Sequence, residues 1–190
     1  NERVVIDAIR RRVVSRLTMG GAPLGVATHP SNGMVYVADW YSNKISVVDP
    51  DAGAVTAEVA VGASPSGEAV TPDGALLLSA DRDSNEVSFI DVKKNVRIAR
   101  VPVGERPFGV TIDSDGRRAY TANVGSNDVS VIDIANQKVV ATVPVGRRPY
   151  AVALSGGRAF VTNQYAKALS DENTTTLKVV KTLAVGDYPE

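Results

Sequence analysis

Val103-Gly104-Glu105-Arg106-Pro107-Phe108-Gly109-Val110-Thr111-Ile112 runs into Asp113-Ser114-Asp115-Gly116 and then into Ala119-Tyr120-Thr121-Ala122-Asn123. Glycine and proline at 104 and 107 punctuate a tight connection, one allowing positive φ and the other fixing φ. Phe108 to Ile112 reads as a short strand, 113–116 as a turn, and Ala119 to Asn123 as a second strand. Gly125-Ser126-Asn127 is the next turn, where Asn or Gly takes the left-handed conformation with little strain. Val129 to Asp133 and Val139 to Val143 supply a third and a fourth strand. Short β-branched segments separated by turn residues predict an antiparallel meander of four strands.

The same unit recurs along the chain. Val-Gly stands at 61–62, 103–104, 145–146 and 185–186, with Met19-Gly20 in the earlier slot; the spacing is 42 residues until a last step of 40. A fixed period of that size is the signature of a repeat architecture. Each strand carries apolar or small residues on both faces, so every four-stranded sheet needs a neighbour on each side. That combination predicts an all-β fold, a β-propeller of four-stranded antiparallel blades, with a solenoid as the competing arrangement. Small residues concentrate in the first strands, at Gly25 and Ala27, Gly67 and Ala69, Gly109, and Ala151 and Ala153, where strands crowd around a central axis.

Bulk properties narrow the field. The chain has 190 residues, 44% hydrophobic and 22% charged, with 21 basic against 21 acidic side chains, so no net charge recruits nucleic acid or an anionic membrane. There is no cysteine, which removes disulfides, thiolate metal sites and cysteine nucleophiles. No apolar run approaches the roughly 20 residues that span a bilayer. No nucleophile elbow, phosphate loop or metal-spaced cluster is present, and no cofactor or catalytic residue is implied.

Three short patterns carry a specific resemblance. The second strand appears as Val35-Tyr36-Val37-Ala38-Asp39, Tyr120-Thr121-Ala122-Asn123 and Phe160-Val161-Thr162-Asn163. The third appears as Ile45-Ser46-Val47-Val48-Asp49, Val87-Ser88-Phe89-Ile90-Asp91 and Val129-Ser130-Val131-Ile132-Asp133. With the Val-Gly-x-x-Pro openings, they make the chain resemble the YVTN family of β-propeller repeats over essentially its whole length. The resemblance implies a propeller and an extracytoplasmic address, periplasmic or at the cell surface. Its relatives include surface-layer proteins, periplasmic accessory proteins and the propeller subunits of quinoprotein dehydrogenases. It implies no single activity, because propellers host many.

The copies align with one another and set the expected boundaries. Residues 1–18 match the outer half of a blade, 19–60, 61–102, 103–144 and 145–184 are repeat units, and 185–190 opens another. Family members close at about seven blades, so the expectation is a segment of a larger ring. The alternative is an open arc that self-associates through its uncapped faces.

Departures from the repeat point to candidate sites. Glu68 takes the place of Val26, Val110 and Val152 in the inner strand, where a carboxylate needs a partner such as Arg82 or Arg106, solvent, or a ligand in the channel. Leu169-Ser170-Asp171-Glu172-Asn173 replaces a β-branched third strand and is expected to be a polar loop or degraded edge; it lacks the calcium-loop pattern. The first hairpin of the last unit is two residues shorter and closes at Gly156-Gly157. The loops entering each blade and the loops between second and third strands are expected on one face. They bring Trp40, Tyr41, Arg82, Arg106, Phe108, Arg147, Arg148, Tyr150 and Tyr165 to a common rim, residue types that anchor interfaces and pair with carboxylates. Asp39, Asp81, Asn123 and Asn163 at the ends of the second strands are expected to satisfy turn amides. His29, the only histidine, falls on the opposite face as a structural turn residue, and Arg10-Arg11-Arg12 sits in a solvated turn.

The expected function is a non-enzymatic binding scaffold whose rim takes a protein partner or a small anionic ligand. Two other readings are a subunit or accessory protein of a periplasmic quinoprotein-type oxidoreductase, and a structural surface-layer module.

Overall fold

A computed structural model describes residues 2–7, 9–19 and 21–189. Gly20 of the first Val-Gly slot, Ala8, and the terminal Asn1 and Glu190 lie outside the described residues. The described residues are all-β apart from one 3-10 turn at Arg82–Ser84, and they form one two-stranded and four four-stranded sheets. Strands β1 (Glu2–Asp7) and β2 (Arg12–Thr18) pair alone. Blade one holds β3 (Pro23–Thr28), β4 (Val35–Asp39), β5 (Lys44–Asp49) and β6 (Ala54–Ala60). Blade two holds β7 (Pro65–Val70), β8 (Leu76–Asp81), β9 (Glu86–Asp91) and β10 (Val96–Pro102). Blade three holds β11 (Pro107–Ile112), β12 (Arg118–Asn123), β13 (Asp128–Asp133) and β14 (Lys138–Pro144). Blade four holds β15 (Pro149–Ser155), β16 (Arg158–Asn163), β17 (Ala168–Asn173) and β18 (Lys178–Ala184). Every blade is a simple antiparallel meander in chain order, so the propeller expected from the repeat is the observed fold.

Blades two and three bury both faces because alternate residues of one strand look at different neighbours. Tyr36, Ile45 and Val47 of blade one pack on Leu77 and Ile90 of blade two. Leu78, Val87 and Phe89 on the other side of blade two pack on Ala119 and Ile132 of blade three. Tyr120, Val129 and Val131 then meet Val152, Ala159 and Val161 of blade four. Fully burying one such side chain is worth about 1.5–3 kcal/mol, so these interfaces hold the arc together.

At the axis the inner strands stand close enough to exclude a side chain. A Cβ on Gly67 would collide with the Phe108 carbonyl, and one on Gly109 would come within 2.5 Å of the Tyr150 carbonyl. The Ser66 hydroxyl is shared between the carbonyls of Ala80 (2.9 Å) and Phe108 (3.0 Å), joining β7 to β11.

A second link is repeated around the rim. Asn43, Asn85 and Asn127 close the turns between second and third strands at φ 53°, 54° and 61°. Their Oδ1 atoms accept the N–H of Ser64 (3.0 Å), Arg106 (2.8 Å) and Arg148 (2.8 Å) in the following blade. In blade four the position is Lys167, and its Nζ pairs with Asp187 at 2.6 Å instead.

One expectation is corrected. Residues 169–173 are neither a loop nor a frayed edge: β17 is complete and pairs with both β16 and β18. The ladder bonds are made by the backbone, and the charges are handled locally. Arg158 donates from Nε to Asp171 Oδ1 at 2.7 Å and from Nη2 to Oδ2. Glu172 is fully buried between Ala159 and Val179, and burial pushes its carboxyl up to about 7. The polar run Thr174–Thr176 makes the turn, with Asn173 Oδ1 accepting the N–H groups of Thr175 (2.9 Å) and Thr176 (2.8 Å).

Candidate functional site

The two loop sets of the rim are bonded to each other. Arg82 N–H donates to Ser64 O at 3.1 Å, Val124 N–H to Arg106 O at 3.0 Å and Gln164 N–H to Arg148 O at 2.9 Å. Ser64, Arg106 and Arg148, each just before a proline, sit at φ 56°, 54° and 57°. Non-glycine residues in the left-handed region are uncommon, and here the conformation is over-determined by the asparagine bond, the loop bond and the proline. In blades three and four the repeat thus presents an arginine from a fixed backbone on the rim.

Aromatic rings connect those positions across the blades. Trp40 and Phe108 have centroids 6.4 Å apart, Phe108 and Tyr150 4.9 Å, and Tyr165 and Tyr188 6.4 Å. Arginines join the line: Arg82 lies 5.6 Å over Trp40, and Arg148 lies 5.5 Å from the Tyr150 centroid and 4.4 Å from that of Tyr165. Arg148 also donates to the Tyr150 hydroxyl at 3.0 Å and to the Tyr165 hydroxyl. Those contacts push its pKa above the ordinary guanidinium value, the Tyr150 hydroxyl first. A cation stacked on two rings and tied to their hydroxyls is fixed in place. Trp40, Phe108, Tyr150 and Tyr165 therefore form one ladder with Arg82 and Arg148. Tyr41 is 79% exposed and stands apart from it.

Beside the ladder is a cavity of about 330 Å³ lined by Arg82, Arg106, Arg147, Arg148, Asn127 and Tyr165. Arg82 is compensated by Asp83 at 2.5 Å. Arg106, Arg147 and Arg148 have no ion pair with a carboxylate among the described residues. The nearby backbone donors are already used, Val124 and Gly125 N–H on the carbonyls of Arg106 and Glu105, and Asn127 N–H on that of Asn123. What the cavity offers is guanidinium.

The other expected positions fall elsewhere. Asp39 Oδ1 accepts from Ala22 N–H (2.9 Å) and Ser42 N–H (3.2 Å), and Asp81 Oδ2 from Gly62 N–H (2.9 Å), so both serve the turns. Burial raises Asp81 to about 6 against the hydrogen bonds of Ser88, Ser79 and Gly62. Asn123 and Asn163 use Nδ2 on Ser130 and Ser170, both at 2.9 Å, bridging second to third strands. Glu68 is half-buried on β7 opposite Ser79 and does not line the arginine cavity. His29 Nδ1 accepts the N–H groups of Ser31 and Asn32, both at 3.2 Å, and its ring lies against Gly74.

The opposite face carries a larger cavity that the repeat did not announce. It measures about 590 Å³ between blades three and four and is lined by Asp113, Asp115, Arg117, Arg118, Tyr120 and Arg158 among others. The short hairpin explains it. Gly74 closes on His29 and Gly116 on Pro72 at the two preceding hairpins, whereas Gly156 and Gly157 approach nothing comparable. Two of the arginines here are paired with carboxylates, Arg117 with Asp115 at 3.3 Å and Arg158 with Asp171, while Arg118 donates to the Thr174 carbonyl at 2.9 Å. No group of three or more His, Cys, Asp or Glu that could hold a metal ion occurs among the described residues. No helix among them is long and apolar enough to cross a membrane.

Fold and rim together define a β-propeller, and solved structures agree. A chain of Kuenenia stuttgartiensis hydrazine synthase superposes with TM-score 0.83 at 26% identity, covering 89% of this chain and 51% of that one. A functionally unknown protein from Desulfotomaculum acetoxidans DSM 771 gives TM-score 0.84 at 17% identity, covering 99% of this chain and 67% of that one. The chain thus spans about half the length of the first and two thirds of the second. No family model and no curated protein matches it.

Proposed function

We propose that the chain is a non-enzymatic β-propeller scaffold of the YVTN type that binds a protein partner or a small anionic ligand at its arginine–aromatic rim. The observation that carries this reading is the surplus of charge: three arginines without a carboxylate partner among the described residues, set beside an aromatic ladder joined through Arg148, in a chain of zero net charge. Tyr, Trp and Arg dominate binding hot spots because they bury large rigid surfaces around a few directional bonds. The address in this reading is periplasmic or extracellular, as the resemblance to YVTN proteins implies.

The test is capture from an extract of the source organism with the chain as bait. A partner retained by the wild type should be lost by the Arg106→Ala/Arg147→Ala/Arg148→Ala variant and kept by Arg117→Ala on the opposite face. Identical profiles for all three baits would overturn the reading.

The likeness to a hydrazine synthase chain favours a second reading, a propeller part of an enzyme assembly. Quinone or haem absorbance in the purified protein would raise it above the first.

A further inference from the structure

The geometry points to the ligand class of the rim cavity: we infer that Arg106, Arg147 and Arg148 form a site for a dianionic phosphoryl group. This rests on the rim being a binding surface and names what it binds.

The first argument is stoichiometry of charge. A monoanionic carboxylate is saturated by one bidentate arginine, and would leave two of the three guanidiniums uncompensated. A phosphate monoester carries close to two charges at neutral pH and three strong acceptor oxygens, one for each guanidinium. Arg82 lines the same cavity but already has Asp83, so it is not counted.

The second argument is preorganisation. Arg106 and Arg148 start from the same left-handed backbone position in consecutive repeats, each N–H held by the preceding blade's asparagine at 2.8 Å. Arg148 is also stacked on Tyr150 and Tyr165. Arg147 is the residue before it on the same loop and is exposed. The Arg148 guanidinium, held by rings and hydroxyls, loses little freedom when a ligand arrives, the backbones of Arg106 and Arg148 are already set, and planar forks favour phosphoryl oxygens over spherical ions.

The third argument is selectivity within the repeat. The pre-proline slot holds Ser64 in blade two and Arg106 and Arg148 in blades three and four, while the adjacent slot holds Ala63, Glu105 and Arg147. Ser64 shows that the turn needs no cation, since its hydroxyl simply bonds Asp83 at 2.7 Å. The arginines are therefore surplus to the fold.

The cavity of about 330 Å³ lies at the lower end of the range of ligand pockets and leaves room for a carrier beside the phosphoryl group. Tyr165 lines it and is the surface such a carrier would meet.

Isothermal titration of the 190-residue chain with inorganic phosphate, at about pH 8 where the dianion dominates, tests the assignment. Succinate and chloride at equal ionic strength are the controls. Phosphate is expected to bind at least about tenfold more tightly than either. Arg106→Ala/Arg147→Ala should remove that preference. Arg106→Lys/Arg147→Lys, which keeps the charge and guards against a folding artefact, should lose most of it. Phenyl phosphate distinguishes the sources. Tighter binding than inorganic phosphate, with the difference between the two ligands lost in Tyr165→Ala, assigns a carried phosphoryl group; equal binding assigns free phosphate. Phosphate binding no better than succinate, or indifferent to the arginine variants, overturns the inference. Partner capture that still depends on the three arginines in that case would leave the rim reading standing and remove only the ligand class.

Discussion

The two faces of the propeller both display arginines around a cavity, yet they use them in opposite ways. On the hairpin face Arg117 faces Asp115, Arg158 covers Asp171, and Arg118 spans from blade three to the Thr174 carbonyl. On the rim face Arg148 meets aromatic rings and hydroxyls, and none of Arg106, Arg147 and Arg148 meets a carboxylate among the described residues. The difference teaches that compensation, rather than the number or size of charged residues, distinguishes the two faces, and in the proposed reading it marks the charges held for a ligand. The larger cavity belongs to the hairpin face, so volume and uncompensated charge fall on opposite sides.

The largest expected effect lies at the interface beneath the hairpin-face cavity. Glu172 stands where blades two and three have Ile90 and Ile132, and its oxygens have no hydrogen-bond partner among the described residues. Arg118 and Asp113 of blade three act on the Tyr120 phenol together with Glu172, so these groups share one electrostatic neighbourhood. The folded carboxyl, at about 7, holds its proton more tightly than the unfolded one at 4.5. Stability from this group is therefore complete below the unfolded value and falls as pH rises through the folded one, by on the order of 2–3 kcal/mol. Denaturant melts at several pH values should show that slope, and Glu172→Ile should flatten it and stabilise the chain at pH 8. Asp81, raised to about 6, contributes a slope of the same sign that the variant keeps.

Next in size is Arg158→Ala, which strands the buried Asp171. Urea melts should show a loss of about 2 kcal/mol, discounted from a fully buried pair because Arg158 is half-exposed. Asn127→Ala should cost about 1 kcal/mol by removing the bond to Arg148 N–H and an αL-tolerant residue. Arg147→Ala on the rim should shift the same melt by less than about 0.5 kcal/mol. Equal losses for Arg158→Ala and Arg147→Ala would erase the contrast between the faces.

Much of the fold was legible because the repeat states it several times. Strands over 108–112, 119–123, 129–133 and 139–143 appear as β11 to β14 with about one further residue at their ends. Crowding at Gly67 and Gly109 follows from the same comparison. Residues 169–173 read as a loop by side-chain polarity, yet strand pairing needs only backbone, and Arg158 is thirteen residues away in sequence while diagonal to Asp171 across the ladder. The rim positions follow from loop placement, and the structure links Trp40, Phe108 and Tyr150 by contact and Tyr165 through Arg148 while leaving Tyr41 outside. The asparagines that place Arg106 and Arg148 were readable in retrospect. They recur at 43, 85 and 127 in step with the repeat and give way to Lys167 in blade four. The state of the arginines was not readable, since whether a charge is paired depends on which loops meet.

The central claim is that the rim arginines are not in service of the fold, and the melting temperature of the ligand-free Arg106→Ala/Arg147→Ala/Arg148→Ala variant tests it most directly. Removing three mutually repelling, uncompensated cations should leave the melting temperature within about 2 °C of wild type or raise it. A fall of about 5 °C or more would contradict the account and make these arginines part of the scaffold.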